Sequence, residues 1–409
     1  STFCFGRVMS KPYPYFISLD KAVGICQETP ITISTEKIPI ANSMGRIVAR
    51  DVNSKVNDPG FDNSSMDGFA VIYSDTLEPP TKLKVVGTSN AGTGESNMIG
   101  SGEAVRIMTG GPLPNGADSI IPIELCDVEG DFVTLNEPSK PNYVRRMGEN
   151  FSINQTIFSA GDTMSPEKIS LCAAAGISEL VVYKKLKIAI ISTGDELRNL
   201  GDELGFGQIY ESNSYGLKAL IETYGHEADR FPNVIDDIDL LRNTLDNAAN
   251  NYDCIITSGG VSMGDRDFVR ILMQEEGEIR FWRVKMRPGS PPLFGMWNNT
   301  PIFGLPGNPV SSHVVFRAIV GKWLASVTNS TDIISKYTTA ILAEDIKTQI
   351  GFTTFRRVEL FDENGIIYAR LKGHQGSGNI AGIAMSDGLT IIQPNDLGKK
   401  DEVCKILLL

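Results

Sequence analysis

Three segments of this chain combine glycines with carboxylates or with a helix start, and each follows a short apolar run. Thr193-Gly194-Asp195-Glu196 follows Lys187 to Ile191 and supplies two carboxylates. Ser258-Gly259-Gly260-Val261-Ser262-Met263-Gly264-Asp265-Arg266-Asp267 follows Asp253 to Thr257. Its glycines let backbone N–H groups approach an oxyanion, and Asp265 and Asp267 add two carboxylates. Pro306-Gly307-Asn308-Pro309 opens a helix after Pro301 to Leu305, and free N–H groups at a helix start suit a phosphate. Arg283, Lys285 and Arg287 place cations near the end of a neighbouring strand. Hard carboxylates beside phosphate-binding loops are the usual setting for Mg²⁺.

Each feature also has a plain structural reading. An Asp-Glu pair after a strand caps a helix, a glycine-rich loop makes a tight turn, and Asp236 serves as an N-cap. His374, in Gly373-His374-Gln375-Gly376-Ser377-Gly378, reads as a loop residue. Convergence decides between the readings, because in an open α/β sheet the carboxyl ends of the strands share one edge and ligands bind there.

The elements that must carry these loops are legible. Lys187 to Ile191 and Asp253 to Thr257 read as buried parallel strands, with further strands at 281–286 and 301–305. Helical spacing recurs at 214–225, from Asp236-Asp237 through Leu240, Leu241 and Leu245, and at Phe268, Ile271 and Leu272. Strands alternating with helices imply a doubly wound, mostly parallel α/β domain. Residues 80–145 carry turn residues and no helical period, which predicts a β-rich domain. Residues 163–176 predict a capped amphipathic helix, and alternation in Phe352-Thr353-Thr354-Phe355 and Ile366-Ile367-Tyr368-Ala369 predicts a C-terminal β barrel.

Composition excludes several classes of function. The 409 residues hold 38 basic and 49 acidic side chains, a net charge of -11 whose field repels nucleic acid and anionic membranes. No apolar run is long enough to span a bilayer, and the first residues lack a signal-peptide pattern. Six scattered cysteines (Cys4, Cys26, Cys126, Cys172, Cys254, Cys404) without a C-x-x-C pair fit a reducing cytoplasm. Three separated histidines, His226, His313 and His374, argue against a zinc site or a His-based triad.

Over nearly its whole length the chain resembles one family, the molybdopterin molybdenumtransferases of the MoeA type, which also form the E domain of gephyrin. The motifs that carry the resemblance are Phe61-Asp62-Asn63-Ser64-Ser65-Met66-Asp67-Gly68-Phe69-Ala70, Arg106-Ile107-Met108-Thr109-Gly110 and Ser192 to Leu197. Ser258 to Asp267, Arg287-Pro288-Gly289 and Leu305 to Ser311 continue it in order. The resemblance implies a split dimerising domain at 10–57 and 146–184, with the β-rich domain inserted at 58–145. It implies an α/β molybdopterin-binding domain at 185–331 and the barrel at 332–409.

It further implies a cytoplasmic homodimer that inserts molybdate into adenylylated molybdopterin, releasing AMP and the molybdenum cofactor with Mg²⁺. A molybdopterin adenylyltransferase would be the upstream donor. By position in the family's motifs, Glu196, Asp236 and Asp267 fall to the metal and diphosphate, and Asp67 and Thr109 to the partner subunit. Arg283, Arg287 and Ser377 are candidates for the oxyanion. The substrate set is completed by Arg145, Thr193, Gly194, Ser258, Gly259, Gly260, Asp265, Pro306, Gly307, Asn308 and Pro309. Two positions depart from the family's pattern: Ser290 stands where a second lysine is common, and Asn150 where an aspartate is.

Two rivals compete with this reading. One is the adenylyltransferase, whose single domain resembles 185–330 but needs neither flank. The other is a protein-binding scaffold, for which a set of carboxylates at strand ends has no use.

Overall fold

A computed structural model describes residues 11–29, 31–92, 98–330 and 336–409. Cys4 lies outside them. They form two compact units, one drawn from residues 1–36 and 183–409, the other from 37–182.

The first unit is built on seven strands: β1 (Tyr15–Ile17), β2 (Lys187–Ser192), β3 (Glu227–Arg230), β4 (Cys254–Ser258), β5 (Glu278–Val284), β6 (Leu293–Trp297) and β7 (Thr300–Leu305). Their order is β1-β5-β6-β7-β4-β2-β3. β7, β4, β2 and β3 pair in parallel, as do β1 and β5, while β6 runs antiparallel to both its neighbours. The expected mostly parallel sheet is present. β6 was not foreseen, although Asn298-Asn299, both at positive φ, form the two-residue turn that folds it onto β7.

Helices cover both faces: α1 (Leu19–Gln27), α2 (Asn213–Thr223), α3 (Ile238–Asn251), α4 (Phe268–Glu275) and α5 (Pro309–Val315). α5 continues through a π turn at Phe316–Val320 into a last helical segment, Gly321–Val327. α1, α2 and this long helical run bury one face, where Phe281, Phe294, Phe303 and Trp323 stack across strands and helix at 4.6–5.9 Å. α3 and α4 bury the other through Leu241, Leu245, Val269 and Leu272. Leu240, expected on the same side as Leu241, is 44% exposed because Leu241, Leu245 and Ala248 already fill the inward stripe.

Two expectations shift at the flanks. Residues 10–57 were read as the start of a split domain, yet β1 extends the α/β sheet and α1 packs beneath it. The barrel closes as β8 (Tyr337–Leu342), β10 (Ile366–Leu371), β9 (Arg357–Glu363), β11 (Gly388–Ile391) and β12 (Val403–Leu408). Thr353–Thr354 is not one of its staves; it pairs in parallel with Met286–Arg287.

The second unit holds a six-stranded sheet in the order Ser119–Pro122, Gly68–Val71, Glu103–Ile107, Thr81–Ser89, Phe132–Leu135, Cys126–Glu129. It also holds the helix Pro166–Ala174, capped by Ser165, whose hydroxyl accepts from the Lys168 amide at 3.3 Å. Among the described residues no helix is long and apolar enough to cross a membrane.

Gly68 lies inside this second sheet, and a Cβ there would sit 1.9 Å from the Ile121 carbonyl oxygen. Backbone cannot step aside as a flexible side chain does. Gly68→Ala should therefore destabilise the protein by about 1–3 kcal/mol or more, read from the midpoint of denaturant unfolding.

Candidate active site

The ends of β2, β4 and β7 lie side by side, and the three glycine-bearing loops leave the sheet there. Gly259 makes their close approach possible: it holds φ +93°, and a Cβ would meet the Thr193 carbonyl oxygen at 2.9 Å. Asn213, in the first turn of α2, ties the loops together. Its Nδ2 donates to Ser258 Oγ and to the Gly307 carbonyl, both at 2.8 Å. Between the loops lies a cleft of about 730 Å³, lined by Thr193, Gly194, Glu196, Asp236, Ser258 to Gly260, Asp267 and Pro306 to Pro309.

Backbone accounting shows what the Ser258–Asp267 loop offers a ligand. The carbonyls of Gly260, Val261, Ser262 and Gly264 are all taken by donors of the same unit. Among the described residues, the amides of Gly260, Val261, Ser262 and Met263 donate to no protein acceptor. Successive free N–H groups in a glycine-rich turn form an anion-binding concavity.

Carboxylates crowd the same cleft. Asp237, not Asp236, caps α3 by accepting from the Leu240 amide at 2.8 Å. Asp195 accepts from the Asp236 amide at 2.9 Å, and Asp267 from the Gly264 amide at 2.5 Å. Burial first, then the charges of Asp195, Glu196 and Asp267, raise the Asp236 pKa above its ordinary value, while Arg266 opposes them. Among the described residues no three ligating side chains are gathered into a ready cage for a metal. Glu196, Asp236 and Asp267 are thus an oxygen-donor set that repels itself. That fits Mg²⁺, which takes one or two carboxylates and completes its shell with phosphates and water.

Beside this cleft lies a second pocket of about 490 Å³ with the opposite chemistry. Arg283, Arg287, Arg356, Gln375 and Ser377 line it, and no carboxylate does among the described residues. Arg283 lies over the Phe16 ring at 4.7 Å and donates to Tyr15 Oη at 3.1 Å. Arg287 lies over Phe352 at 5.1 Å and donates to Gln349 at 3.1 Å. Burial and then Arg287 lower the Arg356 pKa, the mark of a cation without a compensating acid. The loop that brings Ser377 is held from below by Arg357, which donates to the carbonyls of His374 at 2.7 Å and Gly376 at 3.2 Å. His374 accepts from the Gly376 amide at 2.7 Å, a loop role as expected.

Other residues fall elsewhere. Asp265 is exposed and lines neither pocket. Asp67, Thr109 and Arg145 belong to the second unit. There the Thr109 amide and hydroxyl both donate to Asp67 at 2.7 Å and hold its pKa below the ordinary value. Arg145 sits exposed on the short pair it makes with Asn63–Ser64. The Ser290 hydroxyl is spent on the Met286 carbonyl at 2.8 Å, and the Asn150 amide on Asp58 at 2.9 Å.

Sequence reasoning missed Arg356, Arg266, Asn213 and Glu211. Glu211 is a buried carboxylate in the wall of the cleft, accepting from Ser192 at 3.0 Å and from the Ser214 amide at 2.8 Å. Glu211 and Asn213 stand at a helix start, where a polar cluster reads as a cap; Arg356 gave no signal beyond its charge.

Comparison with known proteins gives a consistent result. Residues 17–176 match the MoeA N-terminal region (domain I and II), 189–326 a probable molybdopterin binding domain, and 339–408 the MoeA C-terminal region (domain IV). A molybdopterin molybdenumtransferase of Haemophilus influenzae is 34% identical over 382 residues, covering 92% of this chain and 94% of that one. The molybdopterin molybdenumtransferase 2 of Mycobacterium tuberculosis is 34% identical over 379 residues, covering 90% and 92%. The crystal structure of the molybdopterin biosynthesis MoeA protein of Pyrococcus horikoshii OT3 superposes with a TM-score of 0.84 at 27% identity, over 96% of this chain and 100% of that one.

The raised pKa of Asp236 carries a signed consequence. A carboxyl whose pKa is higher folded than unfolded weakens the fold when ionised, fully above the raised value and not at all below the ordinary one. Asp236→Asn should thus raise the melting temperature at neutral pH, by about 1–2 °C given solvent screening. Melting curves recorded down through the carboxylate range should show that gain disappear.

Proposed function

Because the chain belongs to the MoeA family of molybdopterin molybdenumtransferases, enzymes of molybdenum cofactor biosynthesis, we propose that it inserts molybdate into adenylylated molybdopterin and releases AMP. The observation that carries this reading is the pairing of two pockets of opposite charge character, which share Ser262, Pro291, Pro306 and Asn308. A diphosphate and an oxyanion repel each other in water; here each has its own wall, and the walls meet.

In this proposal the free amides of the Ser258–Asp267 loop bind the diphosphate of the substrate. The Pro306–Pro309 turn lines the cleft without a free helix start, since Pro309 has no N–H and the Val310 amide donates to the Ser377 carbonyl at 3.1 Å. Glu196, Asp236 and Asp267 would hold Mg²⁺, which supplies charge neutralisation between the phosphates and these acids. Arg283, Arg287 and Arg356 with Ser377 hold the molybdate, a compact tetrahedral anion suited to several convergent cations. Fixing both anions at one wall removes the entropy cost of their meeting. A second copy of the chain contributes Asp67 and Thr109, and an adenylyltransferase supplies the substrate. A cytoplasmic location accords with the five described cysteines, all free.

The direct test is to incubate the protein with adenylylated molybdopterin, Mg²⁺ and molybdate and to follow AMP by chromatography. Release that requires all three supports the reading; no release above the protein-free rate overturns it. Asp267→Asn keeps the acceptor for the Gly264 amide but loses charge, so AMP release should fall by about two orders of magnitude or more with the melting temperature nearly unchanged. Arg356→Ala should weaken molybdate binding by about 1.5–3 kcal/mol in calorimetry. Light scattering at micromolar concentration should return the mass of a dimer; a monomer would exclude the contribution of Asp67 from a second copy.

A further inference from the structure

We infer that Arg270 is the positioning residue that turns the glycine-rich loop into an anion cradle, and that it does so without touching the ligand. The inference rests on the reading of the acidic cleft as a diphosphate site. Ser262 and Gly264 are exposed, so water could satisfy their carbonyls; what protein donors add there is a fixed loop shape that keeps the unspent amides pointing one way. Arg270 is the main donor, joined at Gly264 by the Asp267 amide at 3.2 Å. Its amide takes the Gly260 carbonyl at 3.0 Å, its Nε the Ser262 carbonyl at 2.9 Å and its Nη2 the Gly264 carbonyl at 2.9 Å. The one other carbonyl in the stretch with a side-chain donor, that of Val261, is taken by Trp282 Nε1 at 2.9 Å.

The guanidinium is itself fixed on its remaining sides. Nη1 donates to Gln274 Oε1 at 2.8 Å, and the group lies over the Trp282 ring at 5.4 Å. A planar fork reaching Ser262 and Gly264 at once sets the turn between them. The Gly264 amide then meets the Asp267 carboxylate, so the same clamp places the acid assigned to the metal. Arg270 lines neither pocket, so its effect on a bound anion runs through the backbone it holds. A lysine keeps the charge but lacks the fork, and cannot hold both carbonyls in one geometry.

The test compares the wild-type protein with Arg270→Lys and Arg270→Gln, using inorganic diphosphate with Mg²⁺ as the calorimetric probe. Both variants should bind diphosphate about tenfold or more weakly, the scale of one lost charge-assisted hydrogen bond. In the AMP-release assay KM for adenylylated molybdopterin should rise by a similar factor, with kcat changing by about threefold or less. Arg270→Lys is decisive even if Arg270→Gln melts early, because it keeps the stem and the charge. If Arg270→Lys binds diphosphate as the wild type does, the fork is dispensable and the inference falls, while the reading of the cleft stands. If the wild-type protein binds no diphosphate, the cleft reading falls and the cradle with it.

Discussion

Three parallel strands held in register set the terms for everything at the candidate site. Ser192 of β2 stands beside Ser258 of β4, and Ser258 beside Leu305 of β7, so the three chains leave the sheet at one level. Parallel ladders require crossover helices between successive strands, and those helices bury both faces and forbid slippage. A one-residue slip would turn Ile190 and Ile256 out of the core they share and would also lift one loop out of the cleft. Glycine at 259 and the amide of Asn213 then only refine a juxtaposition that backbone pairing has already made.

Charge is kept apart on a small scale. The acids lie beyond the ends of β2, β3 and β4, while the arginines come from β5, the short pairing at Met286–Arg287 and the stretch before β9. The chain as a whole is acidic, yet the second pocket gathers arginines with aromatic faces behind two of them. Aromatic faces hold a guanidinium in place without neutralising it, which leaves its charge available to an anion.

Much of this was legible in the sequence because the loops carry their own punctuation. Apolar runs broken by Gly-Gly or Pro-Gly announce buried strands that end in tight turns, and Ser258 to Asp267 was readable as an anion loop for that reason. The illegible residues reach the site from far along the chain. Arg356 enters from the stretch before β9, and its place follows from the parallel pairing of Thr353–Thr354 with Met286–Arg287, which no local pattern encodes. Arg270 occupies a polar position of an amphipathic helix, and no local pattern there announces the carbonyls it holds. Asp236 was read as a cap because two aspartates adjoin, and only the hydrogen bond to Asp237 decides which of them serves α3.

The position of β1 has a consequence for how the protein comes into being. Tyr15 pairs with Trp282 and Ile17 with Val284, so the first strand of the sheet waits for one of the last. During synthesis from the N-terminus, the second unit, residues 37–182, is complete before the partner of β1 has emerged. That unit can condense as an independent body while the segment ahead of it stays open. The closing of β1 onto β5 is then a late, long-range event, and with it the aromatic wall of Tyr15 and Phe16 arrives behind Arg283. Completion of the arginine-lined pocket is thereby coupled to the translation of β5, and a half-made chain carries no finished pocket.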